Sequence, residues 1–276
     1  MAANDPYLPR PRAGPLAALA HRWCQPIRAA SPTARRRPVN SREPRRGATF
    51  DDLRRRGRGP VSRDEQKHRA AARAADLVER DMRVGLGTGS TVAFLLDELA
   101  RRDVRAHYVA TSPRTEIEAR RRGLDVTAFH EWPALDLAID GADQVAPDGW
   151  LVKGAGGAHT REKIVAYAAA RFVVIVDESK LVAALRPPVP LELFNFGLEA
   201  TLASLAPVRV RDAAPSPDGG VLSDYLGAVD APASLARWFD ANVGVIGHGL
   251  VAPNLVDTIF VGAHDELHPN KNGDTP

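Results

Sequence analysis

The chain has 276 residues, 44% hydrophobic and 26% charged, an ordinary globular composition with length for one large domain or two modest ones. Its net charge of +3 hides a division: residues 1–60 carry 14 Arg, no Lys and four acidic residues, about +10, so the remainder is about −7 (+3 − 10 = −7). A mildly acidic body disfavours nucleic-acid binding, the single Cys24 excludes an internal disulfide and suits a reducing compartment or simply leaves the compartment open, and no apolar run approaches the ~18 residues of a transmembrane helix.

Residues 1–61 are rich in Arg and Pro and sustain no helical or strand period, so a disordered tail is expected there. A transit peptide or a nucleic-acid-binding arm are the sharper readings of the same composition. A start of synthesis at Val61 is a further expectation, because regular structure begins directly after it.

From Ser62 the pattern is regular. Ser62 and Glu65 form a capping box before DEQKHRAAARAADLVE, a helix. MRVGLG reads as a short strand, STVAFLLDELARR as an amphipathic helix, VRAHYVAT as a strand and PRTEIEARRRG as a helix stopped by Gly123. LDLAID is a buried strand, TREKIVAYAAA a helix and RFVVIVD a strand. Alternation at this spacing predicts βαβ units and a parallel sheet covered by helices. After PPVPLELF the texture changes: FGLEATLASLA and APASLARWFDA read as helices, GGVLSDYLG, NVGVIGHGL and DTIFVGA as strands. The prediction is a smaller α+β unit at roughly 190–245, then a return to the main sheet.

Four segments carry chemistry. In VGLGTGSTVAFLL a strand runs through Thr88, Gly89, Ser90 and Thr91 into a helix. Helix N-terminal amides attract anions and glycine allows close approach, so this turn suits phosphate; a tight turn capped by Ser90 is the plainer reading. It lacks the GK[ST] of a Walker loop and the third glycine of a dinucleotide fingerprint. In ATSPRTEIEAR, Thr111 and Ser112 end a strand, as a site or as a helix cap. In LAIDGADQV, Asp140 and Asp143 end a strand, able to hold hydroxyls or move protons, or simply to close a turn. In LVKGAGGAHTREK, Gly154, Ala155, Gly156 and Gly157 can turn amides inward as an anion nest, with Lys153 at its edge. Thr160 is the expected cap of the following helix. Glu162 lies in its first turn, poised as a base beside an oxyanion site, or placed there by the helix dipole and paired with Arg161 or Lys163. The chain holds 32 Arg and only five Lys, which marks Lys153 and Lys180, both at predicted strand ends, as point charges with a task. No HExxH, CxxC or clustered His spacing supports a metal site. His159, His248 and His264 read as structural or exposed, His248 as a turn residue. No GxSxG elbow suggests a serine hydrolase.

VGLGTGST, the TS…T segment of Thr111, Ser112 and Thr115, IDGADQV, LVKGAGGAHTREKIV and VDESKLV, in this order, resemble the signatures of the type A ribose-5-phosphate isomerase family, and PVPLELFNFG and GVIGHGL resemble its later ones. The resemblance covers about 62–268. It implies a Rossmann-like, mostly parallel sheet with helices on both faces over 62–189 and 246–268, a small α+β lid domain over 190–245, and a disordered tail at 269–276. It implies an aldose–ketose isomerase that interconverts D-ribose 5-phosphate and D-ribulose 5-phosphate through an enediolate, with no metal or organic cofactor. By position Glu162 matches the general base, and Asp140, Asp143 and Lys153 the other polar catalytic groups. Thr88 to Thr91 with Lys180 match the substrate and phosphate contacts. A homodimer or homotetramer is implied, with a small sugar phosphate as its ligand and no membrane or nucleic-acid partner. The chain departs from the family pattern at Gln144, where an acid is usual, at Ala155 within the glycine run, at His159, where a small or apolar residue is common, and in GGVLSDYLG, a poor match to the family's Asn-containing strand. A sugar-phosphate sensor, or a deaminase or lactonase on the same scaffold, are the alternatives.

Overall fold

The structure, a computed structural model, describes residues 61–132 and 134–263. The expected tails, apart from Val61, and His264 lie outside them.

The Ser62 hydroxyl accepts from the Glu65 amide at 3.2 Å and caps α1 (Arg63–Ala75). Ala70, Ala71, Ala74 and Ala75 give this helix a smooth buried face that lies close against its neighbours. There follow β1 (Arg83–Leu86), α2 (Ser90–Arg102), β2 (His107–Ala110), α3 (Pro113–Arg121), β3 (Asp125–Val126) and β4 (Leu137–Asp140). Two short strands, β5 (Gln144–Val145) and β6 (Leu151–Val152), lead to α4 (His159–Ala168) and β7 (Phe172–Val176). The next stretch comprises β8 (Val189–Leu193), α5 (Leu198–Leu205), β9 (Val208–Val210), β10 (Val221–Tyr225), α6 (Pro232–Asp240) and β11 (Val245–His248). β12 (Leu250–Val251) and β13 (Thr258–Val261) close the described chain.

The main sheet has the order β13-β7-β4-β1-β2-β3, and every pairing in it is parallel. Period-two alternation divides its side chains between two cores. Leu137, Ile139, Val173 and Ile175 pack with α1 and α2 on one face. Ala138, Phe172, Val174 and Val176 pack with Val165 and Ala166 of α4 on the other. β12, β6 and β5 form a small antiparallel sheet. The segment after β7 forms a four-stranded antiparallel sheet, β11-β8-β10-β9, with its own core of Leu191, Leu193, Leu205 and Phe239.

Several strands have no clear signal in the sequence. β8 lies inside PPVPLELF, where the prolines read as a break; Pro190 is its second residue and serves the fold through its carbonyl, which accepts from Gly249 N at 2.7 Å. NVGVIGHGL, expected as one strand, divides at Gly249 into β11 and β12, which belong to different sheets.

Candidate active site

In a sheet of this order the connections leave in opposite directions from β1 and β4, and the crevice beyond their carboxyl ends is where ligands bind. Gly87 and Thr88 leave β1 there, and Asp140 ends β4 beside them. The contact is tight: a Cβ on Gly87 would lie 1.8 Å from Asp140 Cγ, so only glycine fits. The Asp140 Oδ1 atom accepts from Thr88 N at 3.1 Å and from Gly141 N at 2.7 Å.

Its other oxygen, Oδ2, lies 2.8 Å from Lys153 Nζ. The same ammonium lies 3.3 Å from Glu162 Oε2 and donates to the Gly141 carbonyl at 2.5 Å. Asp140, Lys153 and Glu162 are all buried. Two carboxyls thus share one ammonium out of water. Burial lowers the affinity of Lys153 for its proton, but Asp140 and Glu162 together outweigh it, and the amine is held above its ordinary range. Burial pushes Asp140 up, against Lys153 and the two amides. Glu162 has fewer donors. Burial first, then the charge of Asp140, raises it to about 8, with Lys153 pulling the other way. A carboxyl raised to about 8 can exchange a proton near neutral pH.

The nest follows Lys153. Gly154 has φ +110 and Gly157 φ +73, so glycine is required at its two ends. Ala155 is not among the residues of positive φ, and a methyl group there costs nothing. Two of the four amides are used internally: Ala155 N donates to Asp143 Oδ2 at 2.8 Å, and Gly157 N to the Gly154 carbonyl at 3.1 Å. Gly156 N has no acceptor among the described residues and lines the crevice, so the nest offers fewer amides than the glycine run suggests. The crevice is bounded by Thr88 to Thr91, Asp143, Lys153, the 154–156 backbone, Glu162 and Lys180. Of the residues singled out in the sequence, Asp140, Gly157, Thr111, Ser112 and Thr160 do not border this space.

The phosphate-type turn is built differently from its plainer reading. Gly89, at φ 129, is the N-cap of α2, and Ser90 is the first helical residue rather than a cap. Behind it is a hydroxyl cluster: Thr88 Oγ1 lies 3.0 Å from Thr111 Oγ1, 2.9 Å from Ser112 Oγ and 3.2 Å from Thr115 Oγ1. Ser112 also caps α3 through Thr115 N at 3.1 Å. The cap and site readings of this segment are therefore compatible. Thr115, the last residue of the TS…T segment, joins the cluster through its own hydroxyl.

Comparison with known proteins gives the same direction. The family Ribose 5-phosphate isomerase A (phosphoriboisomerase A) matches residues 107–266. Ribose-5-phosphate isomerase A of Lacticaseibacillus paracasei is 39% identical over 217 residues, covering 73% of this chain and 94% of that protein. The chain belongs to the ribose 5-phosphate isomerase A family. The ribose 5-phosphate isomerase A structure from Neisseria gonorrhoeae superposes with a TM-score of 0.72 at 30% identity, covering 76% of this chain and 99% of that one. A D-ribose-5-phosphate isomerase in complex with phospho-erythronic acid superposes at 0.71 with 31% identity, covering 75% and 100%.

Against the family pattern, the departures have local reasons. Gln144 Nε2 donates to the Arg186 carbonyl at 2.7 Å and its Oε1 accepts from Arg186 N at 2.9 Å, a pair of bonds that an ionised acid could not complete. His159 is fully buried, and neither ring nitrogen has a hydrogen-bond partner among the described residues. Burial lowers its pKa to about 3. Thr160 is not the cap of α4: the helix begins at His159, with Ala158 as N-cap and no side-chain bond. Glu162 pairs with Lys153 across the crevice rather than with its neighbours. Arg161 holds Asp218 at 2.7 Å, and Lys163 donates to the His248 carbonyl at 3.2 Å. His248 is not a turn residue. It ends β11, is buried, and its Nδ1 accepts from Leu250 N at 3.2 Å. Among the described residues no group of His, Cys, Asp or Glu is arranged to hold a metal ion, and no helix is long and apolar enough to cross a membrane.

Proposed function

We propose that the chain interconverts D-ribose 5-phosphate and D-ribulose 5-phosphate, with Glu162 as the general base. The observation that carries this reading is the buried set of Asp140, Lys153 and Glu162 at the crevice beside the free Gly156 amide. In the open-chain aldose, the Glu162 carboxylate removes the proton from C2 while the C1 oxygen gains one, giving the enediol or enediolate. Return of the proton to C1, with loss of the proton on the C2 oxygen, gives the ketose. Lys153 and Gly156 N stabilise the oxygen charge; Asp140 keeps Lys153 charged and in place. Asp143, tied to Ala155 N, faces the crevice to hold hydroxyls and assist ring opening. The turn at 88–91 and Lys180 receive the phosphate, Gly89 and Ser90 offering exposed backbone at a helix N-terminus. The phospho-erythronic acid bound by the related isomerase is an acid phosphate of similar size and supports this ligand class.

The segment 190–245 acts as a lid domain against 62–189 and 246–268, and the chain works as a cytoplasmic homodimer or homotetramer. Phe194, Phe196 and Val243, 53%, 95% and 93% exposed, support self-association. Sedimentation of the protein, compared with Phe196→Ser, tests that point, with dissociation expected in the variant.

The test of function is ribulose 5-phosphate formation by purified protein, with glucosamine 6-phosphate and phosphogluconolactone in parallel. Glu162→Gln is expected to lower kcat by about 10²–10⁴-fold with little change in KM, because a positioned base contributes that much. Near wild-type turnover in the variant would remove Glu162 as the base.

A further inference from the structure

Arg211 stands outside every motif and lies just past β9. Its guanidinium divides its donors among three acceptors, the longest being the Ala155 carbonyl, 3.4 Å from Nη1. Nη1 donates to the Gly154 carbonyl at 2.9 Å; Nε and Nη2 reach Asp224 Oδ1 at 3.0 Å and 2.7 Å. Asp224 is buried in β10 and also lies 3.5 Å from Arg209 Nη2. The Gly154–Ala155 peptide is therefore gripped at both ends, its oxygen by Arg211 and its nitrogen by Asp143.

The segment that follows Arg211 is fastened to the same place twice more. Asp218 takes a two-pronged bond from Arg161, the neighbour of Glu162 on α4, at 2.7 Å for each contact. Leu222 presses on the far end of the nest: a Cβ on Gly157 would lie 2.5 Å from its Cδ1. Between this segment and the Thr88–Ser90 turn lies a cavity of about 710 Å³, which Arg211 also lines.

We propose that Arg211 is a positioning residue for the isomerisation, holding the Gly154–Ala155 peptide so that the Gly156 amide and Asp143 stand at fixed places beside Glu162. The inference rests on the reading of Glu162 and the nest given above. Gly154 sits at φ +110, a conformation that residues with side chains rarely adopt, and a planar fork anchored on a buried carboxylate is suited to hold its peptide there. The permanent charge also adds positive potential behind the nest.

Arg211→Lys keeps the charge and loses the fork. Its kcat for ribose 5-phosphate is expected to fall on the order of 10- to 100-fold with KM within about twofold, as for a misplacement of catalytic groups. Arg211→Lys combined with Asp143→Asn is expected to lose less than the product of the two single losses, because both hold one peptide. A purely structural arginine would give multiplicative losses. If Arg211→Lys fails to fold, Asp224→Asn, which leaves the guanidinium and weakens its anchor, carries the same expectations. Unchanged kcat, multiplicative losses, or a raised KM at constant kcat, which would make Arg211 a direct substrate ligand, would each overturn the proposal. Glu162→Gln, assayed beside these variants, separates the two ideas: its activity judges the base, and theirs judge the fork.

Discussion

Glu162 is the residue whose chemistry is set most strongly by its surroundings. A glutamate in water ionises near 4.5, whereas burial and Asp140 raise this one to about 8. A base must be ionised to act, so kcat/KM is expected to climb with pH through about 8 and level off above it, and a profile flat across that range would contradict the assignment. The same shift has a consequence for stability. Between 4.5 and about 8 the folded chain retains a proton that the unfolded chain has lost, so stability falls as pH rises through that window. Glu162→Gln carries no charge. Its Tm is expected to exceed that of the wild type above pH 8 and to converge with it toward pH 5. A base that costs stability where it works is the signature to look for in thermal unfolding across pH.

The turn from β1 into α2 is an element whose geometry serves the site directly. Gly87 makes room for the Asp140 carboxylate, Thr88 donates to it, and Gly89 opens the helix N-terminus. Gly87→Ala would force its Cβ into Asp140 Cγ. The expected cost is about 1–3 kcal/mol of stability from overpacking, with a loss of activity larger than that destabilisation alone explains, since Lys153 loses its anchor. Denaturant midpoint and kcat measured on the same preparation separate the two. This element was legible in the sequence because strand end, glycine and helix cap are adjacent in it. The neighbouring hydroxyl cluster was legible only in part. Thr111, Ser112 and Thr115 stand out as a TS…T segment, but only the fold turns their hydroxyls onto Thr88.

Acid sensitivity belongs to the whole molecule, because unfolding releases every buried group together. His159 and His248 are both buried, and burial lowers each to about 3. The unfolded chain takes up these protons near pH 6.5 and the folded chain does not, so stability is lost as pH falls through the interval from 6.5 toward 3. His159→Leu removes one such group and leaves a side chain of similar size. It is expected to resist acid better than the wild type, by about 2 kcal/mol at pH 5, and an unchanged acid midpoint would show that His159 does not titrate on unfolding. At this scale the main alternation of strands and helices from Ser62 onward was readable from local periodicity, and so were the ends of β1 and β4, which border the site. Local patterns gave no sign of the proline-bearing β8, which forms the middle of its sheet only because β10 and β11 pair on its two sides.

The main alternation of strands and helices, and the places of Asp140 and Lys153 at strand ends, follow from the sequence alone, because each depends on neighbours a few positions away. The tertiary structure alone decided that Lys153 bridges Asp140 and Glu162, that Gln144 serves Arg186 rather than the crevice, and that Arg211 reaches Gly154 across 57 positions. Those contacts join segments far apart in the chain, and they form only where packing two cores on a parallel sheet brings loop ends together and removes water from between their charges.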